Sequence, residues 1–187
     1  MKQHKRLPLA LLLVFALCIQ TLSFTSAAAA LADPEPVFSA SDMTFSSGTD
    51  AVALPQSAVT QLSGLSSGTI IVDFTPTAMS TANCLFSLSN SSVTDAYFNL
   101  YIDNRGFLGL EVRNHGETRY VNLQGPAEVT RNTRHIMALS ADPQEGYKFY
   151  FDGDMVFQMP VALYELWEYD YRFMSTVNSA DVGYMGA

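Results

Sequence analysis

Between positions 43 and 159 the chain is a succession of short runs rich in β-branched and aromatic residues, and this spacing limits its fold more than any other feature. The runs are 43–45, 52–54, 69–74, 84–88, 97–102, 107–113, 118–123, 135–140, 147–151 and 155–159, with Gly, Asn, Asp and Pro collected between them. Strand-length segments recurring every ~8–12 residues, with turn residues between, are the pattern of an antiparallel β-sandwich. Asp152-Gly153 separates the last two runs. A two-residue type I′ hairpin turn needs positive φ at both central positions, which this pair tolerates. Helix signals are confined to 59–65 and 161–167; neither carries a sustained apolar stripe, so both are expected to be connections.

Side-chain alternation in two of these runs fixes a register. In 97–102, Phe98, Leu100 and Ile102 point one way and Tyr97, Asn99 and Tyr101 the other. In 107–113, Leu108, Leu110 and Val112 share a face opposite Gly109, Glu111 and Arg113. Burying both apolar sets together requires Ile102 to pair with an even-numbered residue, because a one-residue slip turns a strand inside out. A connecting loop of three or five residues satisfies this. Tyr97, Asn99, Tyr101, Glu111 and Arg113 then share one outward face. A tyrosine offers a sugar an apolar ring and a polar edge, and an arginine holds a carboxylate through two parallel hydrogen bonds. On the residues alone, a sugar-acid site and a solvated sheet face with a cross-strand ion pair both fit.

The amino terminus reads as an export signal. Lys2, Lys5 and Arg6 precede an apolar run at 7–19, and Ala30-Leu31-Ala32 places cleavage before Asp33. The 13-residue run is short of the ~20 that span a bilayer. The expected organisation is a signal peptide at 1–32, a Pro-containing linker at 33–41 and one domain at 42–187, secreted or held at the cell surface. Loss of 1–32 removes Cys18 and leaves Cys84 without an intrachain partner; set in Cys-Leu-Phe-Ser-Leu, it is expected to be a small core residue. Three of the ten basic residues lie ahead of Asp33, so seven then face eighteen acidic ones, a net charge of −11. That surface repels nucleic acid and anionic membranes, and neither is an expected partner once the signal is cleaved. An anionic ligand must be captured by particular arginines against the overall field.

Other chemistry finds little support. His115 and His135 lack companions at metal-ligand spacing and read as a polar turn residue and a strand residue, and Asp152-Gly-Asp154 is better explained as a hairpin than as a calcium loop. Nucleophile-elbow and phosphate-loop motifs are absent from the sequence. No catalytic residue, metal site or cofactor is expected.

The segments Gly68-Thr-Ile-Ile-Val-Asp-Phe-Thr-Pro-Thr, Leu85-Phe-Ser-Leu-Ser-Asn, Tyr97-Phe-Asn-Leu-Tyr, Gly109-Leu-Glu-Val-Arg-Asn and Gly146-Tyr-Lys-Phe-Tyr-Phe-Asp-Gly, in this order, resemble the N-terminal lectin-like domain of bacterial and leech-type sialidases, the family-40 carbohydrate-binding module. The resemblance runs from about Phe45 to Ala187. It implies an all-β, antiparallel jelly-roll sandwich of the concanavalin A-like lectin type that binds terminal sialic acid. It also implies that Tyr101, Glu111 and Arg113 line the sugar pocket, with Arg113 on the carboxylate and Glu111 on the amide or hydroxyl edge. An apolar residue touches the acetyl methyl in the family; Ala82 or a neighbour stands there, smaller than the usual choice. Val182-Gly-Tyr-Met-Gly resembles the start of the family's closing strand, beyond which the family places a second arginine and a further tyrosine. On that reading the last strand or two and half of the anion clamp are missing, and the chain is a fragment.

The implied function is a non-catalytic module that carries a secreted exo-α-sialidase to sialylated glycans or mucin, its partner being the catalytic domain of the same gene product. The repeated Ser-x-Asp-x-Gly-x-Thr-Trp motif of a sialidase propeller is absent, and the sole tryptophan, Trp167, is not in such a motif. The alternative is a laminin-G-like adhesion domain or a glycan-binding module with a different ligand.

Overall fold

A computed structural model describes residues 36–41, 43–45, 50–78, 82–117, 121–164 and 171–186, with only the backbone at Ala82. The expected signal peptide and the first residues of the expected linker lie outside this set, as do 118–120 of one predicted strand and Trp167. The described residues form ten strands: β1 (Val52–Ala53), β2 (Gly68–Phe74), β3 (Ala82–Ser89), β4 (Tyr97–Asp103), β5 (Leu108–Arg113), β6 (Val121–Gly125), β7 (His135–Asp142), β8 (Gly146–Phe151), β9 (Asp154–Met159) and β10 (Val182–Met185). They form a six-stranded sheet, β1-β10-β3-β4-β5-β6, and a four-stranded sheet, β2-β7-β8-β9. All pairings are antiparallel. Segment 182–185 is therefore an interior strand with neighbours on both sides.

The sandwich forms because the inward positions of both sheets are apolar. Leu88, Phe98, Leu100, Leu108, Leu110 and Val112 from the larger sheet, and Met137, Leu139 and Phe149 from the smaller, are completely buried. Each such side chain contributes about 1.5–3 kcal/mol relative to an exposed position. Phe173, just ahead of a 3-10 turn at Met174–Val177, closes one rim by meeting Phe98 edge-to-face at 5.5 Å. The short helix α1 (Gln56–Leu62) starts after Pro55, earlier than its apolar pattern suggested. It buries Ala58, Val59 and Leu62 and so belongs to the core rather than being a bare connection. The second helical signal is a 3-10 turn at Val161–Leu163.

Two expectations need correction. Residues 43–45 are not a strand; Phe45 instead packs its ring against the backbone of Gly186, where a side chain would collide with it. Cys84 is not a core residue. A β-bulge between Cys84 and Phe86 brings Cys84 opposite Tyr101 on the outward face, while Phe86 and Leu88 stay inward.

The predicted hairpin is present, with Asp152 at φ 51° and Gly153 at φ 94°. Asp152 also does more than turn the chain. Its carboxylate accepts the Ile136 N–H at 2.8 Å and the Nδ1–H of buried His135 at 2.8 Å, fastening the turn to β7. The imidazole Nε2 accepts the Thr130 N–H at 3.1 Å, so one neutral tautomer satisfies both contacts. The Ile136 N–H, followed by His135, holds the Asp152 carboxyl below its ordinary range. A depressed folded-state value means that this stabilisation is present above the ordinary carboxylate range and is lost as pH falls through the folded value. Asp152→Asn keeps a residue suited to positive φ but cannot titrate. The variant is expected to lose less stability than the parent between about pH 4 and pH 2, read as urea midpoints across that range; parallel curves would contradict the assignment.

Candidate functional site

The five-residue connection 103–107 sets the register of β4 against β5. Asp103 is buried and its Oδ1 accepts the N–H groups of Arg105 (2.8 Å) and Phe107 (3.0 Å), while Gly106 takes φ 84°. Burial alone would push the Asp103 carboxyl up, but these N–H groups and the Arg105 guanidinium hold it below its usual value. Ile102 consequently pairs with Leu108, in agreement with the even-number requirement. On the outward face Tyr97 stands opposite Arg113, Asn99 opposite Glu111, and Tyr101 opposite Gly109.

Glu111 is the centre of this face. One of its oxygens, Oε1, accepts both the Tyr97 hydroxyl at 2.7 Å and the Arg113 Nε–H at 3.0 Å. The other oxygen makes no hydrogen bond among the described residues. Burial, then the hydrogen bond to Glu111, pushes the Tyr97 hydroxyl far up, so it remains a donor at any physiological pH. On its other side the Arg113 guanidinium lies 3.8 Å from Asp95. Asp95 is held at φ 63° in the β3–β4 loop, a conformation aspartate tolerates. Neighbouring contacts fix that loop: Asp181 accepts the Ser91 N–H and hydroxyl (2.7 and 2.6 Å), and His115 Nδ1 donates to the Thr94 carbonyl at 2.8 Å. Arg113, about a third exposed, is thus an oriented cation between two carboxylates.

Of the residues singled out in the sequence, Glu111 and Arg113 are joined directly. Tyr101 is two rows from Arg113, with Glu111 in the row between. It is also only 9% exposed, so it is not the open phenol that strand alternation suggests. The reason is its partner: with no side chain at Gly109, the ring settles on that strand, and Gln124 Nε2 reaches its hydroxyl at 3.4 Å. Ala82 pairs through its backbone with Asp103, one row beyond Tyr101; its side chain is outside the described residues. Tyr97, which alternation put on this face, is the phenol that touches Glu111. Its place opposite Arg113 follows only once the loop is known to have five residues. Beside Tyr97 the sheet has a hollow of about 430 Å³ lined by Cys84, Ser87, Ser89, Asn99 and Tyr184.

A Cβ added at Gly109 would come within 2.2 Å of the Tyr101 ring. Gly109→Ala should therefore expel the ring at a cost of about 1–3 kcal/mol, measured by urea unfolding; an unchanged midpoint would show that the ring is not seated there.

The family profile described as "Sialidase, N-terminal domain" matches residues 44–185. The fold is similar to the CBM40 of Ruminococcus gnavus IT-sialidase, with 25% identity, a TM-score of 0.68, and coverage of 80% of this chain and 79% of that one. It is equally similar to that CBM40 bound to α2,3 sialyllactose, with 25% identity, a TM-score of 0.68, and coverage of 80% and 78%. A leech intramolecular trans-sialidase complexed with 2,7-anhydro-Neu5Ac shares the fold at 23% identity and a TM-score of 0.62, over 73% of this chain and 20% of that one. No curated protein matches the chain. The profile match spans most of the sequence, and the chain belongs to the sialidase N-terminal domain family.

Proposed function

We propose that this chain is a sialic-acid-binding lectin module that directs a secreted exo-α-sialidase to sialylated glycans, on mucin or cell surfaces. The observation that carries the reading is the oriented Glu111–Arg113 pair on the outward face of the six-stranded sheet. A related CBM40 bound to sialyllactose supports it. With Nε–H directed at Glu111 and Nη1 3.8 Å from Asp95, the Arg113 guanidinium is oriented so that a ligand carboxylate can compete for its terminal nitrogens in fork geometry. The second oxygen of Glu111 accepts from the sugar's amide or hydroxyl groups. Tyr101 forms the base of the site one row further on, and the Ala82 region meets the acetyl methyl. Residues 1–32 serve as the export signal and 33–41 as a linker, and hydrolysis belongs to a catalytic domain of the parent enzyme. Modules of this kind bind weakly one at a time, and tethering to the enzyme supplies effective concentration.

Calorimetric titration of the purified chain with sialyllactose and with lactose tests this. Sialyllactose should bind and lactose should bind far more weakly. Arg113→Ala should weaken sialyllactose binding by about 30-fold or more, the loss of roughly 2 kcal/mol that accompanies truncation of one member of a hydrogen-bonded charge pair. Binding that survives this substitution unchanged, or that ignores the sialic acid, would favour an adhesion domain with another ligand.

A further inference from the structure

The hollow beside Tyr97 has a composition unlike that of the Glu111–Arg113 cluster. Its floor is one row of the sheet, in which Ser87 of β3 pairs with Asn99 of β4 on one side and with Tyr184 of β10 on the other. Ser89 and Tyr97 form the adjoining row. The two tyrosines stand on strands separated by β3, about 10 Å apart by two strand spacings. Tyr184 is 37% exposed and Tyr97 partly so, which leaves ring surface for the C–H face of a sugar. The volume of about 430 Å³ falls at the low end of the ~300–1,000 Å³ of small-molecule sites.

Two observations indicate what this hollow takes. Asn99 Oδ1 is buried and has no hydrogen-bond partner among the described residues. An acceptor left in that state costs about 1–3 kcal/mol; the oxygen is closed to water as the side chains stand, so a ligand hydroxyl or amide N–H recovers that cost by turning the Asn99 amide toward the hollow it lines. The lining also carries no formal charge: burial pushes the Cys84 thiol up, and the Tyr97 phenol is likewise held protonated. A second anion would gain nothing here: Asp95 acts electrostatically on Tyr97 at its edge, and the chain carries a net negative charge.

We infer that the hollow is a subsite for a neutral hexose, the sugar to which the sialic acid is attached. The inference deepens the sialic-acid reading and rests on it for the order of the two sugars, but not for the hollow itself. Tyr97 then serves both halves of the ligand: its hydroxyl fixes Glu111, and its ring forms a wall of the hexose subsite. The neutral sugar is gripped through ring faces and the Asn99 acceptor, the acidic one through Arg113.

The test uses the full chain and three probes: sialyllactose, the methyl α-glycoside of sialic acid, and methyl β-galactoside. Sialyllactose should bind about tenfold more tightly than the methyl sialoside, the worth of roughly one good contact of about 1.4 kcal/mol. Asn99→Leu and, independently, Tyr184→Ala should remove that advantage and leave methyl sialoside affinity unchanged. Methyl β-galactoside at millimolar concentration should shift the backbone amide signals of Ser87, Asn99 and Tyr184, and should still do so in Arg113→Ala. Equal affinity for the two sialosides together with no shift from the galactoside overturns the subsite and leaves the sialic-acid reading standing. Galactoside shifts without binding of either sialoside overturn the sialic-acid reading and leave the hollow as a neutral-sugar site.

Discussion

The pairing of Ile102 with Leu108 is the contact on which the rest of the molecule depends. Strand side chains alternate with a period of two, so this one choice sends Phe98, Leu100, Leu108, Leu110 and Val112 into the sandwich. The same choice sends Tyr97, Asn99, Glu111 and Arg113 out together. Core and site are two faces of one register, and neither can change without the other. Asp103 enforces it from the connecting loop, where a buried carboxylate gathers two backbone N–H groups and a guanidinium. The loop is thus an active determinant of the site, although only its end adjoins the outward face.

Two kinds of surface lie side by side on the outward face. On the β4–β5 side a cation is steered by carboxylates on both flanks, so its direction is set before any ligand arrives. That arrangement gives up electrostatic attraction for geometry: the local charge is not positive, and the chain's net charge is negative. On the proposed reading, selectivity comes from the fit of a planar carboxylate to an oriented guanidinium rather than from long-range field. On the β3–β10 side the surface is uncharged and aromatic. Tyr97 sits on the boundary, with its hydroxyl committed to Glu111.

Much of this was legible from the residues. The strand succession, the Asp152-Gly153 turn and the face shared by Tyr97, Asn99, Glu111 and Arg113 follow from periodicity and turn chemistry. What was not legible depended on features that leave periodicity intact or break it silently. Parity allows a loop of three or five residues: three would set Tyr97 opposite Glu111, five sets it opposite Arg113, and only the Asp103 hydrogen bonds decide between them. The bulge in β3 moves Cys84 out of the core without any marker residue in the sequence. Tyr101 is buried on a nominally exposed face because a glycine lies across from it, a cross-strand effect that single-strand patterning cannot register. Phe45 meets the backbone at Gly186, a contact between distant segments that no local pattern announces.

Strand β10 lies between β1 and β3, although it is far from both in sequence, β3 ending at Ser89 and β10 beginning at Val182. Until β10 arrives, β1 has no partner in the sheet and one edge of β3 stays open. Completing that part of the sheet brings together segments far apart in sequence, at an entropic cost that grows only slowly with loop length. Tyr184, which lines the hollow, is carried by β10. The β4–β5 hairpin with Glu111 and Arg113 can assemble from neighbouring sequence alone. Glu111 and Arg113 thus sit on one local hairpin, whereas the hollow beside them needs a strand from a distant part of the chain.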